Sequence, residues 1–348
     1  MAFTIRGVVL PEREERVLRI DGDQVRNATE GDDGELVADG VWLLPGLVDV
    51  HTHPGTEKPG DEFDEERFRR HMVEHRDAGV LLVRSPGSAD RDSGRVRDDV
   101  DLPRLRSGGQ WLATPGRFYP GFGRDIAEAD LVPAAVEEAR ASSGWCKIIG
   151  DWTDGEPAVP LEVLTAAVEA VHAIGGRVAV HCQTAEGCRN AVLAGADSLE
   201  HGMYLDHDLL PRMAAQGTAL VPTFTTFAKI VDKLDNAPPD FRDWLLGGWE
   251  GMPATVRAAH EAGVVVLAGT DSTPCGTVAG EIEWLIRSGV PPEVAVGAGS
   301  WTARSWLGLP GIVDGAPADL VAYEADPVED PAVLSRPSRI ILRGRLIR

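Results

Sequence analysis

The chain has 348 residues, 43% of them hydrophobic and 26% charged, the proportions of an ordinary globular protein with room for one large core. With 55 acidic against 34 basic residues its net charge is -21, a field that repels nucleic acid and anionic membrane surfaces and leaves a small molecule as the expected partner. No apolar run approaches a membrane span, no basic-then-apolar leader opens the chain, and Cys146, Cys182, Cys188 and Cys275 lack C-x-x-C spacing; a cytoplasmic protein with reduced thiols is expected, whether monomeric or homo-oligomeric.

From the N-terminus, residues 3–41 carry short β-like pieces, such as Arg16-Val17-Leu18-Arg19-Ile20 before a turn at Asp21-Gly22-Asp23. The far end repeats that texture, with strand-like runs at 318–323 and 338–347 around a Pro-rich loop. Neither end can bury a core alone, so 1–44 and 312–348 are predicted to meet in one small β-sandwich domain flanking a central domain at 45–311.

Within that central domain, apolar runs alternate with amphipathic segments, the pattern of β/α units around a parallel sheet. Eight runs are present, at 47–53, 80–85, 110–114, 145–150, 177–181, 198–201, 219–224 and 264–271. Helices are expected between them at 64–78, 128–141, 161–174, 185–193, 208–216 and 252–262. Eight such units predict an α/β fold of the (β/α)8 TIM-barrel type, whose active site is built at the C-terminal ends of the strands. The stretch 227–250, with Pro238 and Pro239, reads as a long connection after the seventh run and a candidate lid.

The strand ends are chemically loaded. The first run closes on His51-Thr52-His53, two histidines two residues apart that share a face in a strand and can hold a divalent metal; such a pair alone is equally compatible with satisfied packing. Later runs end in Lys147, His181, His201 and Asp271. Lys147 alone of the four lysines lies inside an apolar strand, where a bare ammonium is costly to bury. Either it pairs with a carboxylate such as Asp151, or its amine has added carbon dioxide and become a carbamate bridging two cations. Cys146 and Cys182 alternate with Lys147 and His181 and should face the other way.

Taken together these residues resemble the amidohydrolase superfamily, in the branch of imidazolonepropionase-like proteins and metal-dependent prolidases. The resemblance spans nearly the whole chain, through Pro45-Gly46-Leu47-Val48-Asp49-Val50-His51-Thr52-His53, Lys147 before Ile148-Ile149-Gly150, His181, the block from Ala191 to Gly202, Gly269-Thr270-Asp271-Ser272, and Gly315 to Val321. It implies a barrel with a small β-sandwich and two divalent ions, zinc by ligand type. By position, His51, His53 and Asp271 would hold one ion, His181 and His201 the other, with carbamylated Lys147 bridging them. The implied activity is hydrolysis of a carbon–nitrogen, amide-like bond in a small molecule such as a dipeptide or N-acyl amino acid. A hydroxide shared by the two ions would attack, with Asp271 as proton shuttle.

Arg84, Arg117, Tyr119, Gln183, Tyr204 and Thr223 sit where a barrel's substrate contacts come from. One departure stands out: His181-Cys182-Gln183 replaces the H-x-H that members of the branch often carry there, which detaches substrate preference from the resemblance. Two rival readings remain. A mononuclear deaminase or cyclic-amidine hydrolase would use His51, His53, His181 and Asp271, and Lys147 argues against it. A non-catalytic scaffold would be expected to have lost ligands, and this chain keeps all six.

Overall fold

Alternation of apolar and polar residues sets the first strands, β1 (Phe3–Val9), β2 (Glu14–Asp21), β3 (Gln24–Asn27), β4 (Glu35–Leu36) and β5 (Val41–Pro45), in the computed structural model, which describes residues 2–58, 60–91, 99–119 and 122–348. Parallel strands follow: β6 (Leu47–Asp49), β7 (Val80–Ser85), β8 (Arg104–Ser107), β9 (Trp111–Ala113), β10 (Arg124–Asp125), β11 (Trp145–Ile149), β12 (Arg177–Cys182), β13 (Ser198–His201) and β14 (Ala219–Val221). The chain closes with β15 (Ala316–Pro317), β16 (Leu320–Tyr323), β17 (Arg339–Leu342) and β18 (Arg345–Leu346).

The two ends do meet. They form one nine-stranded mixed sheet in the order β15-β3-β2-β1-β5-β16-β17-β18, with β4 beside β1, so backbone bonding joins the expected sandwich into a single sheet. Phe3, Ile5, Leu18, Ile20, Leu43, Leu320 and Ile341 give it a core of its own. Buried Asp319 ties it to the parallel half by accepting from Arg104 Nε on β8 at 2.6 Å, and within its own sheet it accepts from Arg343 N, between β17 and β18, at 2.9 Å.

The parallel strands form a three-stranded sheet, β6-β7-β8, and a six-stranded one, β10-β9-β11-β12-β13-β14. The expected third strand is broken in two: β8 bonds to β7 and β9 bonds to β11, with Gly108-Gly109 between. The break demands glycine, since a Cβ on Gly108 would lie 1.9 Å from the Pro86 oxygen and Gly109 has φ +70°. β8 is absent from the sequence reading because Arg104 and Arg106 hide its strand character. The eighth expected strand, 264–271, is not a regular strand. It carries one bridge, Leu220 to Val266, yet bonds to both neighbours: Leu267 N donates to Leu220 O at 3.0 Å and Val50 N to Ala268 O at 3.0 Å.

The helices α1 (Glu65–Asp77), α2 (Leu131–Ala141), α3 (Leu161–His172), α4 (Ala185–Ala194) and α5 (Leu210–Gln216) fall close to expectation. Asp64 and Thr184 cap α1 and α4 by accepting from Arg67 N and Gly187 N. Then comes a correction: 227–250 is no open connection. It is filled by α6 (Phe224–Val231), a short 3-10 turn at Leu234–Asn236, and α7 (Pro239–Glu261), a 23-residue helix that runs through Pro253. The chain then adds α8 (Val278–Arg287), α9 (Pro292–Ala298) and α10 (Trp301–Trp306). Among the described residues no helix is long and apolar enough to cross a membrane.

Candidate metal centre

Strand alternation decides which side chains face inward. Trp145 and Ala179 pack in an interior cluster with Val48, Val50 and Leu267, and Lys147 and His181, two residues on, share their face. Cys146 and Cys182 point the other way, into the core under the helices.

One cavity of about 410 Å³ is lined by all six expected ligands, His51, His53, Lys147, His181, His201 and Asp271. The imidazoles are held by the same atom. His51 Nδ1 donates to Glu200 Oε2 at 2.7 Å, His53 Nδ1 donates to the Gly87 carbonyl at 2.6 Å, and His201 Nδ1 lies 2.7 Å from Thr223 Oγ1. With the proton on Nδ1, each Nε2 lone pair is turned toward the cavity.

The result is a crowd of acceptors. His51 Nε2 lies 3.2 Å from His53 Nε2, and Asp271 Oδ1 lies 3.2 Å from His53 Nε2 and 3.8 Å from His51 Nε2. Ligand atoms of His51, His201 and Asp271 fall within 4.8 Å of one another, while the His181 and His201 rings are 4.6 Å apart. Lone pairs facing lone pairs repel unless a cation sits among them. Of the buried side-chain atoms without a hydrogen-bond partner among the described residues, two belong to residues lining this cavity, His181 Nε2 and Lys147 Nζ, although buried polar atoms are as a rule hydrogen-bonded. The donor set thus fits divalent metal.

Electrostatics agree. Burial, with Lys147 adding to it, pushes His51 down to about 4 and His181 down to about 3, and burial likewise lowers His201, so the rings are neutral near neutral pH. Burial also pushes the Lys147 amine down to about 8, against the pull of Glu200.

The backbone is bent to deliver these groups. His201, Thr223 and Asp271 sit at φ +70°, +55° and +46°, left-handed conformations that non-glycine residues adopt at a cost of about 1–3 kcal/mol each. Gly269 clears the approach, since a Cβ there would come within 2.6 Å of His51 Cβ. Asp49 locks the first ligand pair to the last ligand, accepting from His51 N at 3.1 Å, Thr270 N at 3.0 Å and Thr270 Oγ1 at 2.6 Å.

Several sequence expectations change. The pairing of Lys147 with Asp151 is overturned, because Asp151 accepts instead from Gln183 N, Thr184 N and Thr184 Oγ1 at 2.7–3.0 Å. Tyr119 and Gln183 line the cavity; Arg84, Arg117, Tyr204 and Thr223 do not. Arg84 is fully buried, donating to Val50 O at 2.6 Å, Ser198 Oγ at 3.1 Å and Glu200 Oε1 at 2.8 Å, with Trp145 and Trp306 on its guanidinium. Arg117 is taken up by Pro157 O and Glu156, and Tyr204 by the Trp244 carbonyl at 2.5 Å. Thr223 touches His201 and so orients that ring rather than a substrate. Asp49 and Glu200 escaped notice in the sequence, although each is a carboxylate inside an apolar strand within two residues of a histidine ligand.

Residues 42–347 match the model of the Amidohydrolase family, and the chain belongs to this family. It is 40% identical to an uncharacterized protein of Mycobacterium tuberculosis, over 98% of this chain and 94% of that protein. It is 28% identical to ochratoxinase of Aspergillus niger over 192 residues, 51% of this chain and 39% of that protein. The crystal structure of A. niger ochratoxinase superposes with a TM-score of 0.83 at 20% identity, covering 100% of this chain and 95% of that one. That of a Xaa-Pro dipeptidase with methionine bound in its active site gives 0.86 at 24% identity over 100% of both chains. The likeness establishes the shared fold of this superfamily, a TIM barrel with an added sheet domain.

Proposed function

We propose that this chain is a metal-dependent hydrolase of amide-type carbon–nitrogen bonds in a small molecule such as a dipeptide or N-acyl amino acid. On this reading 45–311 is the (β/α)8 barrel, its eighth strand the irregular run 264–271, and 1–44 with 312–348 the appended domain. The observation that carries it is the cavity where five acceptor side chains meet the partnerless amine of Lys147. Membership of the amidohydrolase family, with a Xaa-Pro dipeptidase and an ochratoxinase as relatives, supports hydrolysis of amide-type bonds.

His51, His53 and Asp271 would hold one divalent ion and His181 and His201 a second, zinc by ligand type. Lys147 would bridge them once its amine has bonded to the carbon of carbon dioxide and released a proton, becoming an anionic carbamate; a buried neutral amine is the form that reaction needs. When bound, such ions polarise a carbonyl oxygen and lower the pKa of a water from 15.7 to about 7. Asp271 accepts the proton of the attacking water at its carboxylate and passes it to the departing nitrogen. Glu200 and Thr223 keep the His51 and His201 rings turned so that Nε2 faces the cavity.

The test is elemental analysis of chelator-free protein together with a library of dipeptides, N-acyl and N-carbamoyl amino acids, lactones and amino-heterocycles. Two metals per chain with release of free amino acid supports the reading. One metal per chain with ammonia from a heterocycle would transfer the function to the deaminase class.

A further inference from the structure

The chain has thirty arginines but four lysines, and all four lysines, Lys58, Lys147, Lys229 and Lys233, line the same cavity, whereas among the described residues no arginine does. Lys147 belongs to the floor. The other three stand at the rim of a protein whose net charge is -21. Surrounded by so many carboxylates, cations on a surface normally find a partner, yet none of the three forms an ion pair in the described structure. Lys229 Nζ is half-buried and donates only to neutral oxygens, Ser272 Oγ and Thr273 O, each at 2.6 Å. Lys58 and Lys233 are exposed. Glu57, the carboxylate beside Lys58 on the rim, is itself paired with Arg70 at 2.6 Å.

Placement argues against a stabilising role. Lys229 and Lys233 are four residues apart on α6 and the turn that continues it, a spacing at which like charges repel. Buried Glu281 holds that helix start in place, accepting from Phe224 N and Thr225 N at 2.8 Å each. The lysines are therefore presented from a fixed segment after β14, while Lys58 follows β6.

The opposite wall is made differently. Trp111 on β9, Phe118 and Phe122 after it, and Trp152 after β11 pack edge and face on one another, with ring centroids of Trp111 and Phe122 at 4.1 Å and of Phe118 and Trp152 at 5.2 Å. All four line the cavity. In the strand order this wall and the lysines flank the metal-ligand floor from different sides, β9 and β11 being separated from β14 by β12 and β13.

We infer that Lys229, Lys233 and Lys58 form an anion-selecting rim, and that the substrate is an amide bearing an aromatic ring on one side of the scissile bond and a carboxylate on the other. The ring lies on the Trp111–Trp152 wall and the carboxylate meets the lysines, which places the amide over the floor. Lysine suits a rim of this kind, because its compact charge on a long stem reaches a carboxylate without a fixed bidentate geometry. This assignment rests on the amide-hydrolase reading for its scissile bond but on the lysines and aromatics for its selectivity.

The experiment uses N-phenylacetyl-L-alanine, its carboxamide, and N-acetyl-L-alanine, with zinc-loaded full-length protein for turnover and calorimetric titration of metal-free protein for binding. The free acid is expected to be preferred over the carboxamide at least tenfold in kcat/KM, and over N-acetyl-L-alanine as well. Lys233→Met with Lys58→Met should move the acid-to-carboxamide ratio toward unity through KM, and high salt should do the same to wild type. Both residues are exposed and partnerless, so the variants should fold; Lys229→Met is read only where circular dichroism matches wild type. Hydrolysis of acid and carboxamide at equal rates, with the ratio unmoved by the variants, overturns the rim and leaves the hydrolase standing. Lysine-dependent binding of the acid without any turnover keeps the rim and defeats the hydrolase. No binding and no turnover overturns the rim.

Discussion

Two buried basic side chains on parallel strands, Arg84 on β7 and Lys147 on β11, have opposite surroundings. Arg84 is saturated: its donors reach Val50 O, Ser198 Oγ and Glu200, and two indoles cover its faces. Lys147, equally buried, has no hydrogen-bond partner at all. The first cation is structural, because everything that could compensate it is already in place. The second is left in a condition that costs stability, which the proposed carbamate would relieve. Partnering, rather than burial or charge, separates scaffold from chemistry in this molecule.

The largest expected effect tests the chemical layer. Asp271→Asn should leave the circular dichroism unchanged and lower turnover about 10²–10⁴-fold, because it removes a positioned proton acceptor. A well-folded variant that keeps its activity would remove the shuttle role.

Next comes the scaffold layer. Arg84→Met should destabilise the protein by about 3–5 kcal/mol, measured by denaturant unfolding, since it strands Glu200 without its cation. Lys147→Met should do the reverse and raise the unfolding free energy of metal-free protein by about 1–3 kcal/mol, because an unpaired buried amine disappears. The same variant should fail to bind two metals. Equal losses of stability from both variants would erase the distinction between the two cations.

The most gradual effect concerns pH. Burial pushes His75 down to about 3 from an ordinary 6.5, so below pH 6.5 the unfolded chain takes up a proton that the folded chain refuses. Stability contributed at this site is therefore lost as pH falls from 6.5, by about 1.4 kcal/mol per pH unit. Glu281, which burial pushes up to about 7, acts with the opposite sign, so the measurement is the difference between wild type and His75→Gln across pH 4–7. A pH-independent difference would contradict it.

What could be read from the sequence follows the same division. The convergence of His51, His53, Lys147, His181, His201 and Asp271 on one cavity was legible because they are polar residues at the ends of apolar runs, a pattern that core packing seldom produces. Glu200 and Arg84 were harder. Glu200 looked like part of a motif, and Arg84 like a rim residue, because the sequence does not say that the two meet 116 positions apart. The broken third strand was hidden by Arg104 and Arg106, and the irregular eighth by its own apolar run. The rim was least visible, since the meaning of four lysines depends on where they converge.

The carboxylate of Asp49 has a consequence for how the molecule is made. It joins the backbone N–H of His51 to that of Thr270, 221 residues beyond Asp49. A nascent chain therefore carries its first two histidines long before the carboxylate that completes their set has been synthesised. Pairings of such sequence separation form late and slowly in folding. On the proposed metal-dependent reading, full-strength metal capture becomes a property of the finished chain, and partial products of translation lack the residues that would hold the ion in a competent geometry.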